Sequence, residues 1–282
     1  MDISPPGRRT AAVVALKALP AAKSRLFALP APLREHLARC MALDTITALA
    51  AAVDEVLVVS DQEDLPAILT RHGIVARVVG EPDGTATLNR ALAHGDRLVR
   101  AAGAAVVLAC VGDLPALRPA TVRSVLAAEA GAERSFLPDQ QDRGTTMLVA
   151  RGGPLNPLYG TEIVDGERIG SAERHRRSGA VALHPDGMDG ARRDVDTLAD
   201  LAAASALGVG PATARLLDPR TGRLGRYLTV EVIDLTADGV VVAADGAVDV
   251  VVRQAYDGDP ARIVPGRRLP AVRVGDALHC WS

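Results

Sequence analysis

The chain has 282 residues, of which 48% are hydrophobic but only 2% aromatic, so its core must consist mainly of Ala, Val and Leu. The 32 Lys and Arg residues nearly balance the 34 Asp and Glu residues, and a net charge of −2 excludes a global field that would attract nucleic acid or an anionic membrane. The three cysteines are widely spaced and odd in number, which argues against a disulfide framework or a zinc cage and favours a reducing cytoplasm.

Short apolar runs alternate with longer helix-type segments from residue 11 to residue 130. The predicted strands are Ala11–Leu16, Glu55–Val59, Val75–Val79 and Ala104–Cys110, and the predicted helices are Pro30–Ala51, Leu65–His72, Leu88–Ala101 and Pro119–Ala130. This order is typical of a mostly parallel sheet with helices packed against it. Further along, Ser135–Leu137 and Thr145–Ala150 are predicted strands, and Thr197–Leu207 is a predicted helix with Asp196 as its N-cap. No apolar run approaches the length of a membrane span.

After Leu217 the pattern changes to closely spaced strands. Leu228–Leu235, Gly239–Ala243 and Val248–Val252 have strand character and are separated by Asp-Gly pairs, which favour tight turns. We therefore predict an α/β domain over residues 1–217, a linker over 218–226 and a small β-barrel-like module over 227–282. This last segment has few cations and aromatic residues, so a structural or oligomerisation role is favoured over nucleic-acid binding.

Three cations follow the first predicted strand within one loop, at Lys17, Lys23 and Arg25. Ligands of open α/β sheets bind at the carboxyl edge of the strands, where such a loop lies. Lys and Arg there could hold the oxygens of a triphosphate. The alternative is a solvated loop with ordinary surface charges.

A carboxylate follows the very apolar fourth strand in the segment Gly112-Asp113-Leu114-Pro115. An aspartate at a strand's carboxyl end, beside a glycine that lets a ligand approach, is a natural position for Mg²⁺. The alternative is a turn that starts the next helix, because Asp and Pro both favour turns.

Two more carboxylates alternate in Arg193-Asp194-Val195-Asp196-Thr197. If this segment is extended, Asp194 and Asp196 point to the same side. Alone, Asp196 fits a helix cap better than a metal ligand. Together with Asp113 from another strand, however, the pair would complete an oxygen site for Mg²⁺.

Other motifs narrow the function by their absence from the sequence. There is no nucleophile elbow, no Walker A segment and no G-x-G-x-x-G fingerprint, which argues against serine hydrolases, P-loop enzymes and NAD oxidoreductases. The six histidines are scattered, and His175 lies in the basic run Glu173–Arg177, which we interpret as a solvated helix face.

Taken together, the motifs resemble the 2-phospho-L-lactate/phosphoenolpyruvate guanylyltransferases of coenzyme F420 biosynthesis. The resemblance extends over roughly residues 11–216 and rests on Lys17…Lys23-Ser24-Arg25-Leu26, Leu88-Asn89, Gly112–Leu117, Gly144-Thr145-Thr146, Asp194–Thr197 and Leu207–Thr213. It implies a Rossmann-like nucleotidyltransferase fold of the glycosyltransferase-A type, with a mixed sheet and helices on both faces. It also implies GTP as substrate, Mg²⁺ as cofactor, a small phosphorylated carboxylic acid as acceptor, a homodimer and hand-over of the product to the next enzyme of the pathway.

The resemblance also assigns roles to single residues. Catalytic roles fall to Lys23, Arg25 and Asp113, and metal binding to Asp113, Asp194 and Asp196. Nucleotide contacts are expected from Lys17, Lys23, Arg25, Ser60, Asn89 and Gly112, and acceptor contacts from Thr146, Gly160 and Ser171. The chain departs from the family in an insertion, Thr161–Arg168, between two of the acceptor positions, and in the β-rich segment after Leu217.

Two other functions remain open from sequence. One is a nucleotidyltransferase of the same fold that uses 3-phosphoglycerate, a sugar phosphate or a molybdopterin as acceptor. The other is a catalytically silent nucleotide-binding regulator, although such a protein would not need three acidic metal candidates.

Overall fold

A computed structural model describes residues 9–16, 26, 28–82, 87–128, 131–237, 239–244, 247–252 and 256–282 of the chain. The strands before residue 217 are β1 (Thr10–Ala15), β2 (Glu55–Val59), β3 (Arg77–Val79), β4 (Val106–Cys110), β5 (Arg134–Pro138), β6 (Thr145–Arg151), β7 (Glu162–Val164), β8 (Glu167–Ile169) and β9 (Val181–Ala182). The helices are α1 (Ala31–Ala50), α2 (Leu65–Arg71), α3 (Leu88–Ala101), α4 (Pro119–Ala127), α5 (Ser171–Arg177), α6 (Asp189–Arg192), α7 (Leu198–Leu207) and α8 (Pro211–Ala214).

Seven of the described strands form one mixed sheet in the order β3-β2-β1-β4-β6-β5-β9. The first four of these run parallel, and β6 enters antiparallel between β4 and β5. Because β5 is antiparallel to β6, the carboxyl ends of β1, β2, β4 and β5 meet the beginning of β6 at one edge. The predicted α/β fold with a mixed sheet and helices is confirmed.

Strand β1 shows why the sheet is covered on both faces. Its interior residues are all fully buried apolar side chains, the pattern expected of a central parallel strand. Ala12 and Val14 pack in the hydrophobic cluster that contains α1, whereas Ala11 and Val13 pack in the cluster that contains α3. The period of two therefore places α1 and α3 on opposite faces.

The predicted change of pattern after Leu217 corresponds to a second sheet. It contains β10 (Arg226–Leu235), β11 (Gly239–Ala244), β12 (Ala247–Val252), β13 (Tyr256–Asp257), β14 (Arg268–Val274) and β15 (Ala277–Trp281), in the order β12-β11-β10-β14-β15-β13. A separate apolar cluster forms its core. That residues 218–226 act as a linker between independent domains stays a prediction.

The second sheet packs against helix α1. Trp281 and Val272 belong to the same hydrophobic cluster as Leu37 and Met41 of α1, and the Trp281 indole stacks on the His36 ring with centroids 4.2 Å apart and planes 2° apart. Helix α1 is consequently buried on most of its surface, between the first sheet and this module.

Among the described residues, no helix has the length and apolarity required to cross a bilayer.

Candidate active site

Three acidic side chains from two parts of the chain meet at the carboxyl edge of the first sheet. A carboxylate oxygen of each of Asp113, Asp194 and Asp196 lies within 4.8 Å of the others. The backbone explains this meeting, since the Val195 amide donates to the Asp113 carbonyl at 3.1 Å and the Val195 side chain is fully buried in the core. Because the Val195 side chain points into the core, the side chains of Asp194 and Asp196 on either side of it point the other way, and both line the cleft described below. This is the arrangement predicted for an extended segment.

The predicted helix-capping role of Asp196 is wrong. Helix α7 begins one residue later, with Thr197 as its N-cap. The Asp200 amide donates to the Thr197 hydroxyl at 3.2 Å, and the Thr197 amide donates to the Asp200 carboxylate at 2.8 Å, which is a capping box. Because Thr197 and Asp200 supply the cap, α7 does not require the Asp196 carboxylate for that purpose.

A cleft of about 690 Å³ opens beside this acidic cluster. Its lining combines Asp194 and Asp196 with two cations and several small polar groups. The described residues that line it are Leu88, Asp139, Arg143, Gly144, Thr145, Tyr159, Gly160, Thr161, Arg168, Gly170, Ser171, Asp194 and Asp196. Carboxylates and arginines in one cleft suit a ligand that carries both a metal-bound and a free anionic group.

The turn between β5 and β6 is built around Asp139. Its carboxylate accepts backbone hydrogen bonds from Gln141, Arg143 and Gly144, at 3.0, 3.0 and 2.7 Å. These bonds fix the backbone of the turn from which Arg143 projects. Gly144 is required here because a Cβ atom would collide with the Asp139 side chain.

The start of helix α5 lies against the same turn. Gly170 has no room for a Cβ atom because the Arg143 carbonyl occupies that space, and the Ala172 amide donates to this carbonyl at 3.1 Å. Ser171, between Gly170 and Ala172, is buried and lines the cleft. Gly160 also lines the cleft. Two of the three predicted acceptor positions are thus brought together at the cleft.

Thr146, the third predicted acceptor residue, is not among the described residues that line the cleft. Its hydroxyl is buried and donates to the Leu137 carbonyl at 3.3 Å. The neighbouring Thr145 lines the cleft instead. A direct contact of Thr146 with the acceptor stays a prediction.

Asn89 holds a loop that forms one wall of the cleft. Its side-chain amide donates to the Tyr159 carbonyl at 3.0 Å and accepts from the Tyr159 amide at 2.7 Å. Both polar atoms of Asn89 therefore position the Tyr159-Gly160 segment. Its predicted contact with the nucleotide stays a prediction.

Two of the remaining nucleotide-binding candidates, Ser60 and Gly112, follow strands β2 and β4 at the same edge of the sheet. Ser60, at the end of β2, is buried and accepts from the Gln62 amide at 3.3 Å. At Gly112 a Cβ atom would meet the end of the Leu16 side chain, which would have to shift. Lys17, Lys23 and Arg25 lie outside the described residues.

His175 is a buried residue of the site that sequence reasoning missed, because it lies in a basic run that we interpreted as a solvated face. It is fully buried on α5, and its Nε2 accepts from the Leu158 amide at 2.9 Å. Nδ1 therefore carries the proton and donates to the Thr145 hydroxyl at 2.9 Å. Burial, with Arg134 and Arg174 nearby, lowers the pKa of His175 to about 4, so the ring is neutral near pH 7 and orients Thr145 at the cleft.

The insertion Thr161–Arg168 folds as the hairpin β7–β8. Arg174 of α5 anchors it through an ion pair of 2.9 Å with Glu162, and also donates to the Leu158 and Tyr159 carbonyls. The hairpin places Thr161 and Arg168 on the cleft wall. Sequence reasoning recognised the insertion but gave no signal for either residue or for Arg143.

The acidic cluster fits Mg²⁺ by the chemistry of its donors. All three side chains offer hard carboxylate oxygens, which Mg²⁺ prefers, and two of them, Asp194 and Asp196, line an open cleft where phosphate oxygens and water can supply the other ligands.

Comparison with known proteins agrees with this geometry. A profile of the MobA-like NTP transferase domain matches residues 23–178. The phosphoenolpyruvate guanylyltransferase of Thermomonospora curvata is 47% identical over 72% of this chain and 86% of its own. The protein of the same name from Streptomyces coelicolor is 47% identical over 72% of this chain and 92% of its own.

The chain belongs to the phosphoenolpyruvate guanylyltransferase family. A solved structure described as a nucleotide-diphospho-sugar transferase, from Desulfovibrio desulfuricans G20, aligns with 73% of this family member and 92% of its own chain, at a TM-score of 0.55 and 16% identity. At that identity the likeness shows the shared nucleotidyltransferase fold alone.

Proposed function

We propose that this protein transfers GMP from GTP to the phosphate of phosphoenolpyruvate and releases pyrophosphate. The observation that carries the proposal is the meeting of Asp113, Asp194 and Asp196 beside a cleft that also presents Arg143 and Arg168. The names of its curated relatives support the choice of nucleotide and acceptor.

The reaction needs no activated side chain. A phosphate monoester is largely dianionic near neutral pH, because its second pKa is about 6, so its oxygen can attack the α-phosphorus of GTP directly. The bond from the α-phosphorus to the oxygen bridging to the β-phosphorus breaks, and pyrophosphate leaves with the electron pair. Catalysis then consists of positioning and charge neutralisation, which the acidic cluster and the cations of the site are suited to provide.

Each group has one task in this scheme. Asp113, Asp194 and Asp196 would hold Mg²⁺, which when bound would neutralise charge on the phosphate oxygens. Arg143 and Arg168 bind the anionic acceptor, with Ser171 and the Thr145 hydroxyl nearby. Lys17, Lys23 and Arg25 bind the triphosphate, and Lys23 and Arg25 stabilise the departing pyrophosphate.

The family resemblance also supports proposals for the pathway, the cellular compartment and the oligomeric state. We propose that the product enters coenzyme F420 biosynthesis, that the protein acts in the cytoplasm and that it forms a homodimer. A single-chain molecular mass in solution would contradict the last of these.

A pyrophosphate-release assay tests the proposed function. GTP, ATP, CTP and UTP are each paired with phosphoenolpyruvate, 2-phospho-L-lactate and 3-phosphoglycerate, with Mg²⁺ present. The expected result is release that is fastest with GTP and phosphoenolpyruvate and absent when the acceptor is omitted. Faster turnover with another acceptor would reassign the substrate, and no turnover with any pair would leave a nucleotide-binding regulator as the better interpretation.

A further inference from the structure

A small cavity lies where the C-terminal module meets helix α1, on the opposite side of α1 from the first sheet. Its volume is about 10 Å³, on the scale of one water molecule or one ion. Six of its lining residues are of the types that bind metals, namely His36, Cys40, His72, Asp257, His279 and Cys280. Such a concentration is unusual in a chain with six histidines and three cysteines in total.

The separation of His36 and Cys40 in this cluster matches a zinc site. His36 Nε2 and Cys40 Sγ, one turn apart on α1, are 3.6 Å from each other, and one oxygen of Asp257 lies within 4.8 Å of both ligand atoms. With Zn–N of about 2.1 Å and Zn–S of about 2.3 Å, a tetrahedral ion requires an N···S separation of about 3.6 Å. A small movement of the Asp257 side chain would complete three ligands.

One further atom points to a ligand at the fourth position. The Nδ1 atom of His279 is buried and has no hydrogen-bond partner among the described residues, and His279 lines the same cavity. A buried polar atom without a partner costs free energy unless an ion or water satisfies it. His279 is not among the groups whose ligand atoms lie within 4.8 Å of one another, so a water in the cavity, which could also satisfy His279 Nδ1, is the candidate for the fourth ligand.

Neighbouring side chains hold the candidate ligands in place. The Trp281 indole stacks on the His36 ring, and His72 Nε2 contacts Asp257 Oδ1 at 3.3 Å, with Arg71 at 3.8 Å from the same oxygen. Such outer contacts orient ligands in known metal sites.

We propose that this junction binds one Zn²⁺ ion through His36, Cys40 and Asp257, with water as the fourth ligand. Nitrogen and sulfur donors select zinc over Mg²⁺, so the site is chemically distinct from the all-oxygen cluster at the cleft. Binding releases the Cys40 proton to solvent, and the thiolate and the Asp257 carboxylate together balance the charge of the ion. The metal joins α1 to the C-terminal module. Cysteine spacing alone does not reveal it, because the key pair is a His and a Cys four residues apart.

Cobalt substitution tests the site in the full-length protein. After removal of bound metal, one equivalent of Co²⁺ is expected to give a thiolate-to-cobalt charge-transfer band and strong visible bands of a tetrahedral ion, and Zn²⁺ is expected to displace them. The acidic cluster cannot give the charge-transfer band because it contains no sulfur. Cys40→Ser is expected to lose the band, whereas the matched variant Cys110→Ser, in strand β4, is expected to keep it.

Two other variants keep the test decisive if Cys40→Ser does not fold. Asp257→Asn retains the sulfur and is expected to weaken Co²⁺ binding at least about tenfold. Cys280→Ser is expected to leave the band unchanged. The proposal is overturned if the wild-type protein gives no band, if the band depends on Cys280 rather than Cys40, or if folded Asp257→Asn binds Co²⁺ with unchanged affinity.

Discussion

The carboxylates of the acidic cluster are the residues on which the proposed transfer depends most. Asp113→Asn and Asp196→Asn each remove one charge from a set whose oxygens lie within 4.8 Å of one another. We expect each variant to lose transfer by at least about 10²–10³-fold, because stabilisation of charge in the transition state is lost. The measurement is pyrophosphate release at saturating Mg²⁺.

The control for this experiment is Asp165→Asn, in the exposed turn of the β7–β8 hairpin. Asp165 has a φ of 52°, which asparagine tolerates. This variant is expected to keep wild-type activity. Near-wild-type rates in both cluster variants would instead refute the metal assignment.

His175 links stability to pH. Its pKa is about 4 in the folded protein and near 6.5 when unfolded, so the unfolded state binds the extra proton between these values. Stability is complete above about pH 6.5 and falls as the pH drops toward 4, by up to about 3 kcal/mol for this group. Urea unfolding at several pH values should show this fall in the wild type and a shallower one in His175→Gln. Equal slopes would mean that His175 is not held neutral by burial.

Sequence reasoning identified the carboxylates and, through the family resemblance, Asn89, but not the contacts by which Asn89 and His175 orient the site. Asp113 stands out because a single acid follows a wholly apolar strand, a signal that one strand carries in itself. His175 and Asn89 instead act through contacts with Thr145 and with Tyr159, which are far away in sequence. No local pattern encodes such contacts.

At the scale of elements, Asp44 shows how helix α1 fixes a distant motif. This buried carboxylate accepts the amides of Ala212 and Thr213, both at 2.9 Å, and so holds α8 in place. Gly210 is required beside it, because a Cβ atom there would collide with Asp44. The segment Leu207–Thr213, part of the family resemblance, is thus a structural contact rather than part of the described cleft.

We expect Asp44→Ala to lower the free energy of unfolding by about 2–4 kcal/mol, because two buried amides lose their acceptor. Asp44→Asn should cost about half as much, since one acceptor oxygen remains. The control is Asp64→Ala, which removes a surface ion pair with Arg39 and should cost less than about 1 kcal/mol. Denaturant unfolding gives all three values, and similar losses at positions 44 and 64 would contradict the role of Asp44 in holding α8.

The β7–β8 hairpin carries Arg168 to the cleft wall, so it bears on acceptor binding. Arg168→Ala is expected to raise the KM for phosphoenolpyruvate about tenfold with little change in kcat, because a charge-assisted contact is lost. Arg177→Ala, on the exposed side of α5, is the matched control and should leave KM unchanged. An unaltered KM in Arg168→Ala would place the acceptor elsewhere.

Elements with a strong periodic pattern were predicted closely. Glu55–Val59 and Leu88–Ala101 have the predicted bounds, because an apolar strand and an amphipathic helix each display their period in the sequence. The hairpin β7–β8 was not predicted, and for helix α5 only the basic run Glu173–Arg177 was interpreted as a helix face. The hairpin strands are three residues each and largely exposed, so no apolar alternation marks them.

At the scale of the whole molecule, we expect the first sheet to carry the active site and the second sheet to support helix α1. All described residues that line the cleft precede Leu217. A chain ending at Leu217 should therefore keep the groups of the cleft but expose the face of α1 that contacts Trp281. We expect its Tm to fall by more than about 5 °C, with transfer retained at low temperature. A truncated protein that folds and binds GTP but transfers nothing would show that the module contributes to the active site.

The stacking of Trp281 on His36 has a practical consequence, because this is the only tryptophan in the chain. The indole is buried at the interface between helix α1 and the second sheet. Its fluorescence emission therefore reports, without any added label, whether this interface is intact. Far-ultraviolet circular dichroism reports the sheets and helices themselves. If the emission changes at a lower denaturant concentration than the dichroism does, this interface separates while the secondary structure of both parts persists.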